Sequence, residues 1–539
     1  MAWIQRLIAL CFFLLIITAS FQCARRGTPS GGPKDEDPPI LLKSEPDSMT
    51  TNFTSKKIRL YFDELVKLDD VQNQLIVSPP LKYQPDVTPQ GAARKYVEIV
   101  IKDTLLDSTT YTFNFGQSIV DNNESNPNPF LYYVFSTGDY IDSLSLKGSV
   151  KDAIDKDVDE FVSVMLYEID STYSDSTVYN KLPNYITNTL DSTTVFELRN
   201  LKEGRYALLA VKDEGKNNLF DQRTDKIAFL EDFINIPTDS SFILTLFKEI
   251  PDFSVAQPSY AASNKIIFGY TGPGDSIEIN PLTQLPDTIR TKLAKEPGKD
   301  TLNYWFTPFE FDSIVFEIKN PAFKQIDTFT VKSRKLAADS LVVTSSHRSR
   351  INFDEQFYIQ SNIPIAKVDT TVINIINKDS LTVPFSANTD LPENKVLINF
   401  EKEPNETYQI SILPQFLNDI FQQTNDTLLY KLSTSSLADF GNLRLNLVGD
   451  VEYPIILQLT DEKGETRREI IADKSRLFEF NNIEPGIYLI RLIFDGNANR
   501  IWDTGNYLNK IQAEKVIYYP QTLEVRANWE LEQTFTIGG

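Results

Sequence analysis

Histidine is almost absent from this chain, which has one, His347, among 539 residues. Metal sites built from clustered histidines are therefore excluded, and any Ser-His or Cys-His catalysis would depend on this one side chain. His347 lies among small and basic residues, so we expect it to be exposed between strands. The sequence also has no Gly-x-Ser-x-Gly, His-Glu-x-x-His, phosphate-loop or Gly-x-Gly-x-x-Gly motif. These absences predict a protein that is not an enzyme.

Cysteine is nearly as rare, with Cys11 and Cys23 only. Residues 1–22 combine a basic start with a short apolar run, which is typical of a signal peptide. Cys11 lies inside that run, so Cys23 would remain alone and an internal disulfide is excluded. The segment resembles a bacterial lipoprotein signal, which implies lipid attachment at Cys23, although the two residues before it depart from the motif. The alternative is an ordinary cleaved signal with an unmodified cysteine.

Positive charge is also in short supply, since 53 Lys and Arg face 74 Asp and Glu and the net charge is −21. The negative electrostatic field that results from this charge repels phosphate backbones, so we expect no nucleic-acid partner. It suits a secreted surface and attracts divalent cations. Residues 23–39 are rich in glycine, proline and charge, which predicts a flexible tether.

Helix signals are limited to residues 415–421, which allow at most two turns. The 35 Phe and 23 Tyr residues favour strands, and the length predicts several domains. Short alternating runs recur between turns, as where Ile58, Leu60 and Phe62 share one face. The sequence therefore predicts an all-β protein of tandem antiparallel β-sandwiches.

Residues 40–138 contain the segment FDELVKL, a long polar loop that starts at Gly116, and a closing strand that ends in FSTG. These features resemble the bacterial Ig-like domain first seen in S-layer proteins. Residues 336–438 contain weaker counterparts, FDEQFYI and LYKLSTSS, and predict a divergent second Ig-like domain. Residues 251–335 predict a further β-sandwich in which we recognise no motif.

One stretch occurs twice without gaps, at residues 196–221 and 478–503. The shared pattern includes a Gly-x-Tyr, formed by Gly204 and Tyr206 in the first copy and repeated in the second. The surrounding segments, 140–250 and 439–539, resemble the transthyretin-like or carboxypeptidase-regulatory-like β-sandwich. That resemblance implies that Gly204 lies in a turn and that Tyr206, Leu208 and Ala210 face inward.

The loop after this strand is the best candidate for chemistry. In the second copy, acid and amide side chains occupy positions one, three, five and nine: Asp495, Asn497, Asn499 and Asp503. The first copy keeps fewer of them: Asp213, Asn217 and Asp221. Alternate side-chain oxygens can converge on a hard cation, so the spacing predicts a structural Ca²⁺ site, weaker in the first copy. The alternative is that these residues only form turns. No other cofactor is predicted.

Two further features have a structural and a binding interpretation. Residues 121–126 form an acidic, amide-rich loop, which we interpret as a loop held by its own side chains rather than a cation or sugar site. Three tryptophans follow Cys23: Trp305, Trp502 and Trp529. A sugar-binding platform needs exposed aromatic rings, but we expect Trp502 to pack against the edge of a sandwich.

The whole chain resembles the Ig-like-domain lipoproteins of the Bacteroidota envelope, on its tether and first Ig-like domain. This resemblance implies a lipid anchor in the outer membrane, facing the periplasm or the surface, and no known activity. We therefore expect a non-enzymatic scaffold, spacer or adhesion module that binds envelope protein or glycan. A carbohydrate-binding or nutrient-capture lipoprotein is the alternative, and a hydrolase within residues 251–334, using paired carboxylates, is a third hypothesis.

Overall fold

The computed structural model describes residues 36–129, 131–190 and 194–538. The predicted signal peptide, Cys23 and the predicted tether up to residue 35 lie outside the described residues. Among the residues described, no helix is both long and apolar enough to cross a membrane. The regular secondary structure of those residues is almost entirely β-sheet, and most of the strand pairs are antiparallel, which confirms the all-β prediction. Their contacts divide the chain into two compact units, and the first ends at Ser143 and also takes in Arg199–Leu201.

The first unit is a two-sheet β-structure with a short helix, α1 (Val71–Gln74). Its strands are β1 (Leu41–Glu45), β2 (Lys57–Leu68), β3 (Ile76–Ser78), β4 (Asp86–Thr88), β5 (Arg94–Val100), β6 (Thr110–Asn114), β7 (Ile119–Asp121) and β8 (Tyr132–Ser136). One sheet has the order β1-β2-β5-β4, with β7 on the end of β2, and the other has the order β3-β6-β8. Ile58, Leu60 and Phe62 are buried together, as their alternation predicts.

The second unit begins with the first repeat domain, by which we mean the sheets that contain residues 144–246. Its strands are β9 (Leu144–Asp152), β10 (Ser163–Glu168), β11 (Tyr185–Asn188), β12 (Val195–Leu201), β13 (Gly204–Lys212), β14 (Lys226–Phe229), β15 (Ile234–Ile236) and β16 (Ser241–Leu246). The sheets have the orders β11-β10-β13-β14, with β15 also on β13, and β12-β9-β16. A 3₁₀ helix, Asp175–Tyr179, lies between β10 and β11.

Two further groups of sheets follow, the first of two sheets and the second of three. The first has strands β17 (Ser254–Val255), β18 (Ser259–Ala262), β19 (Lys265–Thr271), β20 (Glu278–Pro281), β21 (Thr291–Lys295), β22 (Thr301–Phe306), β23 (Ser313–Asn320) and β24 (Gln325–Lys332). The second has strands β25 (Val343–Ser345), β26 (Phe357–Ser361), β27 (Ile365–Val368), β28 (Ile373–Ile376), β29 (Phe385–Asp390), β30 (Lys395–Phe400), β31 (Thr407–Ile412), β32 (Leu417–Asp419) and β33 (Leu428–Ser433). Short 3₁₀ helices are Pro321–Phe323, Thr370–Val372 and Leu437–Asp439.

Strands β25–β33 have the same connectivity as the first unit. The order β25-β26-β30-β29 matches β1-β2-β5-β4, and β28-β31-β33 matches β3-β6-β8. The segment in which we predict up to two helical turns instead forms β32, which pairs with β27. The buried Asp419 carboxylate explains the difference, because it accepts hydrogen bonds from the N–H groups of Phe421 and Gln423 and fixes a turn after the strand.

The second repeat domain, the sheets that contain residues 441–537, closes the chain. Its strands are β34 (Gly441–Gly449), β35 (Ile455–Thr460), β36 (Thr466–Ala472), β37 (Leu477–Ile483), β38 (Gly486–Phe494), β39 (Val516–Tyr518), β40 (Leu523–Val525) and β41 (Glu530–Ile537). It reproduces the first repeat domain strand for strand, with orders β36-β35-β38-β39 and β37-β34-β41. In each domain the first and last strands pair in parallel, which the antiparallel prediction missed.

The repeated Gly-x-Tyr closes the turn before β13 and β38. Tyr206 donates its hydroxyl hydrogen bond to the carbonyl of Lys202 at 3.1 Å, and Tyr488 donates to the carbonyl of Glu484 at 2.8 Å. A side chain on Gly486 would crowd the tyrosine ring, since an added Cβ would lie 3.3 Å from it. Gly204 begins β13 itself, and residues 206–211 are all buried, so β13 is covered on both faces rather than on one.

Replacing Tyr488 with phenylalanine should lower the free energy of unfolding of the second repeat domain by about 1 kcal/mol, because one buried hydrogen bond is lost. Calorimetric melting measures the change. Tyr83→Phe is the control. Because Tyr83 is 56% exposed, this variant should melt like the parent protein. Equal melting of both variants would show that the Tyr488 hydroxyl does not hold the turn.

Candidate functional site

The two predicted cation loops start directly after β13 and β38 and share one backbone arrangement. The carboxylate at position one accepts a hydrogen bond from the N–H group at position six in each copy. Asp213 Oδ2 lies 2.6 Å from the nitrogen of Asn218, and Asp495 Oδ2 lies 2.9 Å from the nitrogen of Arg500. The loops are therefore equivalent in structure as well as in sequence.

Asparagine at position five forms the next turn in both loops. The Oδ1 atoms of Asn217 and Asn499 accept hydrogen bonds from the N–H groups at position seven, at 2.8 and 2.9 Å. In the second loop, the side-chain nitrogens of Asn497 and Asn499 both donate to Asp503 Oδ2, at 2.6 and 2.7 Å. The amide oxygens are thus directed at backbone N–H groups, which is the turn-forming arrangement.

A further carboxylate, which the sequence analysis missed, closes each loop. Asp225 accepts hydrogen bonds from the N–H groups at positions two and nine, at 3.1 and 2.8 Å. Glu514 accepts from the same two positions of the second loop, at 2.8 and 3.1 Å. The signal was present, because TDKIAF around Asp225 resembles AEKVIY around Glu514. The ungapped comparison did not reach it, since three residues precede Asp225 after position nine and ten precede Glu514.

The cation itself stays a prediction. Asp213 Oδ1 is buried without a hydrogen-bond partner, and burial raises the pKa of this carboxyl group. However, within the described ranges no three or more His, Cys, Asp or Glu side chains are grouped so that they could hold a metal ion. In the second loop, the side-chain oxygens of Asp495, Asn497 and Asn499 all accept hydrogen bonds from backbone N–H groups.

If the second loop holds Ca²⁺, the ion at a hundred times its dissociation constant should raise the free energy of unfolding by about 2.7 kcal/mol. Calorimetric melting in excess Ca²⁺ and then in EGTA measures this. The paired substitutions Asp495→Ala and Asp503→Ala should abolish the difference between the two conditions. A melting curve that is identical with Ca²⁺ and EGTA would mean that these residues form turns only.

The ten residues between Asp503 and Glu514 form a docking loop, residues 504–513, that packs on the first repeat domain. Thr504 donates to the carbonyl of Lys248 at 2.6 Å, and Gln512 donates to the carbonyl of Phe229 at 3.0 Å. Lys510 Nζ lies 2.6 Å from Asp175 Oδ1. The second copy is longer than the first between position nine and the closing carboxylate. This extra segment is therefore the part that joins the two repeat domains.

Tyr507 is the centre of this contact. Its side chain is 1% exposed, and its ring lies edge-on to the ring of Phe229 with 5.3 Å between centroids. Its hydroxyl lies 3.4 Å from the hydroxyl of Tyr173, and its N–H group donates to the carboxylate of Glu249. Glu249 is buried, and this burial raises the pKa of its carboxyl group.

A second contact involves the buried guanidinium of Arg491 on β38. Arg491 Nη1 donates to the carbonyl of Ile154 at 3.1 Å, and the hydroxyl of Tyr518 donates to the same carbonyl at 2.7 Å. The turn that presents this carbonyl is held by Lys226, whose Nζ lies 2.8 Å from both Asp152 Oδ2 and Asp159 Oδ2. The second repeat domain therefore contacts the first through its outer sheet face as well as its docking loop.

Residues 35–137 match the bacterial Ig-like domain family, Big_5. This match confirms the Ig-like resemblance of residues 40–138. A search of curated proteins found no match.

Solved structures similar to the chain include surface proteins and a glycan-binding protein. Surface layer protein SbsC, domains 1–6, is 12% identical over 87% of this chain and 67% of that chain, with a TM-score of 0.14. BcpA, the major pilin subunit of Bacillus cereus, is 9% identical over 73% and 99%, with a TM-score of 0.14. SGBP-B of the Bacteroides ovatus mixed-linkage glucan utilization locus is 10% identical over 70% and 93%, with a TM-score of 0.16. TM-scores this low do not show a shared overall fold.

The acidic loop of the Ig-like domain is held by Asp121. Its carboxylate accepts hydrogen bonds from the N–H groups of Asn123, Glu124 and Asn126 at 2.6–2.7 Å. Burial alone would raise the pKa of Asp121, but these hydrogen bonds outweigh it and lower the pKa. The arrangement fits a loop fixed by its own side chains.

His347 is half-buried rather than exposed as predicted, because two neighbouring side chains hold its ring. Nδ1 lies 2.9 Å from Ser346 Oγ, and Nε2 lies 3.1 Å from Glu355 Oε2. The Ser346 hydroxyl also accepts a hydrogen bond from the N–H group of Tyr358, and Glu355 Oε2 accepts one from that of Asn352. The three side chains therefore tie the turn before β26.

The three tryptophans within the described residues differ in exposure. Trp305 is buried, at 1% exposure, beneath the ammonium group of Lys265. Trp502 is half-buried, as expected for packing at an edge, and donates its indole hydrogen bond to the carbonyl of Glu514. Trp529 is 52% exposed, with the guanidinium of Arg526 4.9 Å from its ring centroid.

Proposed function

We propose that the protein is a non-enzymatic scaffold of the cell envelope, anchored to the outer membrane by lipid on Cys23. The observation that carries this proposal is the packing of the two repeat domains, which are separated by two further groups of sheets and still contact each other through the docking loop. Such a contact holds distant parts of a chain in a fixed relation, which a spacer or adhesion module needs and a string of independent domains lacks.

Support for a non-enzymatic role comes from how the described residues are used. Three titratable side chains take part in structural contacts. Asp225 closes a loop, Glu249 accepts a hydrogen bond from the docking loop, and His347 stabilises a turn. The match to bacterial Ig-like domains fits a surface or binding protein. The hypothesis of a hydrolase within residues 251–334 needs paired carboxylates that line a pocket there. The cleft that reaches this segment also borders the first repeat domain, and the carboxylates in its lining are those of Asp221 and Asp252.

The alternative, glycan capture, would need exposed aromatic rings. Trp305 is removed from that role by its burial, and the ring of Trp529 already lies beside Arg526. Neither of these two tryptophans therefore favours glycan capture over scaffolding, and the partner of the scaffold is proposed to be an envelope protein or glycan.

Metabolic labelling with an alkyne-bearing palmitate tests the anchor. The parent protein should carry the label and sediment with outer membranes, and Cys23→Ser should lose the label and the membrane association together. Cys11→Ser is the matched control and should keep both. An unlabelled, freely soluble parent protein would overturn the proposed anchor.

A further inference from the structure

The edge strands of the two repeat domains occupy the same place but differ in character. Strand β16 runs parallel to β9, and β41 runs parallel to β34. The pairing sets Ser241, Ile243 and Thr245 in the positions of Glu532, Thr534 and Thr536. Among the described strands, none pairs with the other edge of β16 or of β41.

The second repeat domain protects its edge with charge. Glu530 and Glu532 lie on β41, and Glu532 forms an ion pair with Arg444 at 2.9 Å. Charged side chains on an edge strand oppose pairing with another chain. Strand β16 has no charged residue, and Ile243 is 62% exposed where the duplicate has threonine. Of the two equivalent edge strands, β16 is therefore the one without charged side chains that would oppose pairing with another chain.

This edge also borders a cleft of about 690 Å³. Phe242, Ile243 and Thr245 of β16 form one wall, and residues 512–516 of the second repeat domain form another. The turn between β14 and β15 adds the exposed carboxylates of Glu231 and Asp232. The volume lies in the range of sites that enclose drug-sized ligands. The second repeat domain lines the opposite side of the cleft and limits the space beside β16. This space therefore suits one added strand better than a second copy of the domain.

We propose that β16 binds an extended peptide segment of a partner protein, which adds as a strand in this cleft. Backbone hydrogen bonds along the edge would supply affinity, and alternate apolar side chains would cover Ile243. Glu231 and Asp232 select a peptide with a basic residue at that end. A basic partner also matches the net charge of −21. This inference goes beyond the proposed function, because it names a partner chemistry and does not depend on the lipid anchor.

The experiment uses the purified full chain and an array of heptapeptides in which apolar residues alternate with threonine between terminal lysines. Peptides of this pattern should bind. Methylation of the backbone nitrogens along one edge, or glutamate in place of the lysines, should abolish binding. Ile243→Lys should weaken binding at least about fivefold, because it replaces an apolar contact with a positive charge that repels the terminal lysines of the peptide. Thr534→Lys, at the equivalent place on β41, is the matched control and should bind like the parent.

Amide exchange supplies a second readout that does not depend on a variant. Peptide binding should slow the exchange of residues 242–245 and leave residues 533–536 unchanged. The proposal is wrong if no peptide of the array binds below millimolar concentration, if N-methylation has no effect, or if Ile243→Lys and Thr534→Lys weaken binding equally. A parent protein that is dimeric, with Ile243→Lys monomeric, would assign the edge to a second copy instead. Lipid labelling at Cys23 is measured separately, so failure here leaves the anchor standing.

Discussion

Replacing Tyr507 with alanine should lower the free energy of unfolding of the packed repeat domains by about 3–5 kcal/mol, the usual cost of removing a buried aromatic ring. The ring is 1% exposed and is enclosed by Phe229 and Tyr173 of the other domain. Its loss leaves a cavity at the centre of the contact between the domains. In calorimetry, the transition of the two repeat domains should move to lower temperature, and the docking loop should become open to limited proteolysis.

The matched control is Leu508→Ala, in the same loop. Leu508 is 51% exposed, so its removal should change stability by no more than about 0.5 kcal/mol. If Tyr507→Ala and Leu508→Ala melt alike and are cleaved alike, the docking loop does not hold the two repeat domains together.

Replacing Asp225 with alanine should cost about 3 kcal/mol, because its carboxylate is 1% exposed and is bonded to the N–H groups of Glu214 and Asp221 and to the hydroxyl of Thr224. Removal leaves two backbone donors of the loop without their acceptor. Urea unfolding, followed by tyrosine fluorescence, measures the loss.

Asp225→Asn keeps one acceptor oxygen and should recover part of that loss, whereas Asp239→Ala, on an exposed aspartate of the same domain, should have little effect. A full loss in Asp239→Ala, or none in Asp225→Ala, would show that Asp225 does not close the first loop. The equivalent Glu514→Ala should cost less, since Glu514 is only half-buried.

The repeat made the two loops predictable, because position one, position five and position nine align without a gap. It did not make the closing carboxylates predictable, since Asp225 lies twelve residues after Asp213 while Glu514 lies nineteen after Asp495. The difference of seven residues belongs to the docking loop. A function in joining domains leaves no periodicity in sequence, so this segment could not be recognised before its contacts were known.

Strand alternation was informative where one face of a strand meets solvent. Ile58, Leu60 and Phe62 follow the simple pattern and are buried together. Strand β13 does not follow this pattern, because Tyr206 to Val211 are buried on both faces of the strand. A continuous apolar run does not indicate which side chains face which side of a sheet. The parallel pairing of β9 with β16 was missed for a related reason, since strands at opposite ends of a domain carry no mark of their pairing.

The most direct test of the account is whether the two repeat domains contact each other within one chain. Lys510 and Asp175 form an ion pair at 2.6 Å with both side chains partly exposed, so a zero-length carbodiimide should join them. Lys102 and Asp86, an exposed pair at 2.6 Å in the first unit, provide the positive control. In a mixture of ¹⁴N- and ¹⁵N-labelled protein, the account predicts a Lys510–Asp175 cross-link between peptides of the same label, lost in Lys510→Arg. A Lys102–Asp86 cross-link without the Lys510–Asp175 one, or a Lys510–Asp175 cross-link only between unlike labels, would contradict it.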